Sequence, residues 1–257
     1  MPSLELDFSA LWVWALLTVR LSGLFTSLPG IGTEQVPETL RLLPALIIGT
    51  CFAFTGAHGP MPGSLAEGGL MITMEFMLGY LLGVIPAFTI SGLTVAGQVI
   101  SGAIGLGQAN MIDQSLGESI SILSRIQAQF ATLVFLGIDG HHVVLRAAAV
   151  TASDVGVGVF RPGLDTTTVL LERFVSSFEL ALSVSAPILV TALVTQLVLG
   201  IITKFVPQIN IFIISLPLTI AIGFYILGHS FAGLASHSIA EFQHLDEHIA
   251  AAIGYLR

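Results

Sequence analysis

Charge is what this chain has least of. Lysine and arginine number eight and aspartate and glutamate sixteen among 257 residues, so 9% of side chains are charged, against about a quarter in an ordinary soluble domain. A soluble fold of this length needs a charged exterior, and so few charges cannot cover one. The net charge of −8 and the scatter of the basic residues leave no cluster to hold phosphates, which excludes nucleic acid as a partner. Cysteine is nearly missing as well: Cys51 alone can form no internal disulfide, and its apolar surroundings read as packing. The first residues show no basic leader and no small-residue cleavage site, and Glu5 and Asp7 precede an apolar run that reads as a retained helix. No glycine-rich stretch ends in Gly-Lys-Ser/Thr, and the pair Gly105 and Gly107 has no third glycine, so nucleotides have no anchor. No serine sits in a Gly-x-Ser-x-Gly elbow. The reading is of a chain that is not an enzyme and takes no cofactor.

What the chain has in abundance is apolar surface: 54% of residues are hydrophobic and the mean hydropathy is +0.93. Counting only Asp, Glu, Lys and Arg, uncharged stretches run from Phe76 to Ile112 (37 residues), Leu180 to Thr203 (24) and Phe205 to Ala240 (36). About 20 helical residues cross a hydrocarbon core of about 30 Å, so the longer stretches exceed one upright span. Shorter segments are 8–28, interrupted by Arg20; 42–57, ended by the breaker run HGPMPG; and Ile126 to about Val150, interrupted by Asp139, His141, His142 and Arg146. Backbone in lipid must satisfy its own hydrogen bonds, and no ten-residue alternation marks a barrel. The expected fold is therefore an all-α integral membrane protein of about six kinked apolar segments arranged as helical hairpins, in one domain over 1–257. Pro86, Pro187, Pro207 and Pro217 are expected to kink helices. Gly79 and Gly83 share a helix face and allow close helix packing. Residues 152–168 read as a surface loop.

Four constellations invite chemistry. His244-Leu-Asp-Glu247-His248 fits an inverted zinc-protease pattern, but the nine residues that follow offer no third ligand, so a solvated helix end is the reading. His141 and His142 beside Asp139 suit either a proton relay in an ion-coupled transporter or a turn between helices, with Gly140 favouring the turn. Glu75, Glu179 and Arg125 each call for a partner charge, in this chain or another. Residues 97–120 begin as a helix and break into small and polar residues without a charged loop, which suits a segment lining a water-filled conduit or an ordinary external loop.

The blocks IGLGQANMIDQS, SRIQAQFATLVFLGIDGHH and KFVPQINIFIISLPLTIAIGF, in that order, resemble the successive signatures of the FliR/SctT family of type III export-gate proteins. The last block is the most specific: Pro207, Gln208 and Phe212, then Pro217, keep the family's spacing. Gly140-His141 matches its Gly-His, Arg125 falls in the second block, and Val36-Pro37 with Arg41 fits its early Val-Pro turn. The resemblance implies helical hairpins assembled with homologous subunits into a ring in the bacterial inner membrane, at the flagellar basal body or, in the SctT case, an injectisome. It implies FliP-like and FliQ-like subunits, FlhB and FlhA as partners, with unfolded flagellar export substrates passing through and membrane lipid around. It further implies that Gly105, Leu106, Gly107, Gln108, Ala109, Asn110, Met111, Ile112 and Asp113 form a loop that plugs the channel. Gln108 and Met111 stand where family members often carry Phe, and Gln114 where Pro often follows.

Overall fold

The computed structural model describes residues 8–32, 36–54, 58–106, 121–154, 156–205, 211–245 and 247–249, and no strand occurs among them. Seven helices follow one another among the described residues: α1 (Phe8–Ser27), α2 (Glu38–Ala53), α3 (Leu65–Ala103), α4 (Ile122–Gly137), α5 (Gly140–Asp154), α6 (Leu164–Phe205) and α7 (Ile211–Gln243). The count exceeds the expected six because the segment from Ile126 to Val150 is two helices. Ile138 and Asp139 form the turn between them, with Asp139 in the left-handed region at φ 60°, a conformation that Asp tolerates better than most residues. The connection expected over 152–168 is shorter, since α5 runs to Asp154 and α6 starts at Leu164. It is also partly internal, with Val157 and Phe160 buried.

Among the described residues α1, α3 and α6 are long and apolar enough to cross a membrane, and α4 with α5 would make a fourth span if the pair is counted as one broken helix. The segment 58–64 separates α2 from α3, as its prolines and glycines require. Inside the helices proline does not end the run: Pro44, Pro86, Pro187 and Pro217 lie within α2, α3, α6 and α7. Each removes one ladder hydrogen bond, a loss that helices packed among neighbours tolerate.

The chain forms two compact units. The first comprises Met1–Phe88, Phe135–Arg173 and Phe242–Arg257. Here α1 packs against α2 and the first part of α3. Gly49 of α2 sits against Thr18, and the Trp14 indole donates to Thr50 Oγ1 at 3.0 Å. Toward α3, a β-carbon at Gly79 would overlap the carbonyl oxygen of Arg20, and one at Gly23 would overlap that of Phe76. The two backbones therefore touch, and Ser27 Oγ donates across to Tyr80 O at 2.9 Å. The pair Gly79 and Gly83 thus faces α1 of its own chain. Val13, Leu16, Leu17, Ala152 and Val157 form the apolar centre beneath.

The second unit comprises Thr89–Val134 and Phe174–Glu241. The later part of α3 packs here against α4, where a β-carbon at Gly97 would come within 2.6 Å of Ser124 Cα, and against α6, where Gly92 meets the carbonyl of Ser177. Two apolar clusters close it: Leu93, Ala131 and Leu180; and Ile100, Ile104, Leu123, Ile188 and Leu227. Glycines along α3 thus face one neighbour after another, the way helices gain contact where apolar burial gives little drive.

Candidate functional site

The stem of the loop that begins at Gly105 lies in the second unit. After α3 ends at Ala103, Ile104 is fully buried and Leu106 packs on its cluster. Thr219 of α7 donates through Oγ1 to the Ile104 carbonyl at 3.3 Å, and Ile104 fills the space that a side chain at Gly223 would need. Gly105 adopts φ 85°, the left-handed region open to glycine, with Leu216 Cδ1 on its free side. Sequence, turn and anchor agree: the chain leaves α3 at a fixed point against α7. Replacing Gly105 with alanine should cost about 1–2 kcal/mol through the backbone alone, read as a lower melting temperature in detergent. Gly107, Gln108, Ala109, Asn110, Met111, Ile112 and Asp113 lie outside the described residues, as do Pro207 and Gln208. Phe212 lies in α7 with its side chain outside them, and Pro217 is an exposed residue of the same helix.

At the return from the loop, Ser121 caps α4: its Oγ accepts from Ser124 N at 3.1 Å and bonds the Ser124 hydroxyl at 2.8 Å. One turn on, Gln127 is 1% exposed and neither end of its amide meets a partner among the described residues; the Ser101 hydroxyl is likewise enclosed. Arg125 points outward beside them.

In the first unit the structure pairs two charges that the sequence left apart. Arg20 and Glu75 are 1% and 0% exposed. Arg20 Nε donates to Glu75 Oε2 at 2.6 Å and Nη2 to Oε1 at 3.0 Å, a two-pronged pair between α1 and α3. Nη2 also donates to the Gly156 carbonyl at 2.8 Å and Nη1 to Thr151 Oγ1 at 3.3 Å, so four of the five guanidinium protons are used. Glu75 Oε1 further accepts from the Gly158 amide at 2.7 Å. The cluster ties α1, α3, α5 and the connection after α5 together. Glu75 is therefore satisfied inside its own chain and is not a charge awaiting a partner subunit, nor is it open to water as a transporter's proton carrier would be. The signal in the sequence was a matched one, an isolated cation and an isolated anion each inside an apolar run; their register across 55 positions was not readable.

The remaining signature residues have structural placements. Pro37 caps α2, with the Leu40 amide on its carbonyl at 3.0 Å, and Arg41 Nε donates to the Val36 carbonyl at 3.0 Å, so the Val-Pro turn is held by the arginine five residues on. Gly140 is buried under the ring of Phe135, which leaves no space for a β-carbon, and Phe135 in turn packs on Phe242 with ring centroids 5.4 Å apart. His141 and His142 follow at the start of α5, their rings 4.1 Å apart, with His142 Nδ1 3.1 Å from Asp139 Oδ1. The turn reading is the one realised. At the other end of the chain His244 bonds Glu247 at 3.2 Å, while the Arg173 guanidinium lies on the ring of His248 at 2.8 and 3.0 Å. A cation already in contact with one of two intended ligands argues against a metal there.

Among the described residues the architecture is all-helical, with three helices long and apolar enough to cross a membrane and a closed internal ion pair, which defines a helical membrane protein. A family model described as bacterial export proteins, family 1, matches residues 11–245. The chain belongs to that family. It is similar to the flagellar biosynthetic protein FliR of Caulobacter vibrioides, 26% identical over 87% of this chain and 90% of that protein. It is also similar to FliR of Aquifex aeolicus, 29% identical over 80% of each, and to FliR of Borreliella burgdorferi, 34% identical over 62% of this chain and 61% of that one. The chain is thus a membrane component of the flagellar protein export machinery, acting with other components of that apparatus.

Proposed function

We propose that this chain is a pore-forming core subunit of the flagellar type III export gate, and that Gly105–Asp113 form the loop that plugs the channel until an unfolded flagellar subunit displaces it. The observation that carries the reading is the anchored stem: the loop leaves α3 through a left-handed glycine whose neighbour Ile104 is locked on α7 by Thr219 and Gly223. A plug needs a fixed base, and non-helical backbone such as that at Gly105 and Leu106 survives at membrane depth only beside protein or a water-filled path. In this reading the chain works as one domain with FliP-like and FliQ-like subunits in a helical ring in the bacterial inner membrane, at the basal body, with FlhB and FlhA as neighbours. The flagellar names of its relatives favour this over the injectisome counterpart. Deleting Gly105–Asp113 from the assembled complex should raise ion conductance in reconstituted membranes while the subunits still purify together. Intact assembly with unchanged conductance rejects the plug, and failure to purify with FliP-like and FliQ-like subunits rejects the gate.

A further inference from the structure

We propose that the turn between α4 and α5 is a binding site for a transition-metal ion, with Asp139, His141 and His142 as its protein ligands. One ligand atom from each of the three lies within 4.8 Å of the other two. A tetrahedral ion with bonds of about 2.0–2.2 Å sets its ligand atoms about 3.5 Å apart, so the cluster must close by about 1 Å. It is free to do so: the Asp139 and His142 side chains are 74% and 63% exposed and already meet at 3.1 Å. The part that does not need to move is fixed. Gly140 is pinned beneath Phe135, and the Asp139 carbonyl accepts from the amides of His142 and Val143 at 2.9 and 3.3 Å, which holds the turn. His141 is half-buried, and its Nδ1 is enclosed without a hydrogen-bond partner among the described residues.

The donor set selects the ion. Two imidazoles and one carboxylate suit zinc, nickel or copper, whereas magnesium and calcium prefer all-oxygen shells. Three protein ligands leave a position for water or for a ligand from a neighbouring subunit. The contrast within the same unit is informative. His244, Glu247 and His248 offer a similar composition, but Arg173 already presses its positive charge on His248, and no cation contacts the Asp139 cluster among the described residues.

The test is zinc titration of the full-length chain in detergent, with any polyhistidine tag removed, followed by calorimetry and by metal analysis after dialysis. One zinc ion per chain should bind saturably and resist competition by magnesium. His142→Ala and Asp139→Asn should each weaken binding by at least about tenfold, while His244→Ala leaves it unchanged. Both substitutions are at exposed side chains, and circular dichroism with elution volume checks that they keep the fold. Asp139→Asn also retains a residue tolerant of the left-handed turn. The site is refuted if zinc fails to bind saturably, if binding survives the double substitution of His141 and His142, or if it is lost with His244→Ala instead.

Discussion

Replacing Glu75 with alanine should destabilise the first unit by about 3–5 kcal/mol, the usual consequence of stranding one member of a buried ion pair. Arg20, 1% exposed, would lose both carboxylate oxygens that pair with its guanidinium. It would face an apolar interior with only Thr151 and the Gly156 carbonyl as acceptors. The Gly158 amide would lose its acceptor as well. Thermal unfolding in detergent measures the loss, and chymotrypsin should cut the released connection after Phe160, which is buried in the intact unit. The double change Arg20→Leu with Glu75→Leu separates charge from structure. It removes both ions, leaving mainly two backbone groups unpaired at about 1–3 kcal/mol each, so it should be less damaging than the single change. A double variant no more stable than Glu75→Ala would show that the pair's charges are not what makes its loss costly.

The second large effect is expected at Gly79. An alanine β-carbon there would overlap the Arg20 carbonyl, which is backbone and cannot rotate aside. Either α1 and α3 separate or one of them bends, and inserting a methyl into tight packing costs about 1–3 kcal/mol or more. The shift would also stretch the Arg20–Glu75 pair, which lies one turn away along α3, so the two substitutions should couple strongly in a double-mutant cycle. Gly102, beside which a β-carbon meets nothing within 4 Å, is the control. Alanine there should leave the melting temperature essentially unchanged. Equal effects at Gly79 and Gly102 would mean that close helix contact is not what Gly79 provides.

How much of this could be read from the residues varies with the physics involved. Apolar length announces itself, so the membrane class and the extent of α1 follow from the residues, whereas α3 and α6 start at Leu65 and Leu164, well before the uncharged runs at Phe76 and Leu180, because the helices continue through Glu67, Glu75, Glu172, Arg173 and Glu179. The turn at Asp139 and Gly140 was legible too, since a lone glycine beside polar residues breaks an apolar run. The end of α3 was half legible: Gly105 and Gly107 marked the break, but the anchoring of Ile104 by Thr219 and Gly223 depends on α7 lying alongside, a long-range fact. The same holds for Arg20 and Glu75. Each was conspicuous by itself, yet nothing local says that the cation of one helix meets the anion of another rather than a neighbouring protein. Gly79 and Gly83 read as a packing face without naming the helix they face. Arg173 lies on His248, a cation set against a zinc-like spacing, and that too required the third dimension.

The outer side of α6 bears on how this molecule is covered in a membrane. From Phe174 to Phe205 its exposed side is greasy, with Phe178, Leu182, Val190, Leu193, Leu197 and Ile201 all open. At 1.5 Å per residue that side extends for about 47 Å, while acyl chains wrap only about 30 Å. The surplus, about 17 Å, calls for tilt in the bilayer or for cover by other components of the export apparatus. A copy made without those components should therefore be cleared faster than one made with them, which a pulse-chase half-life would read.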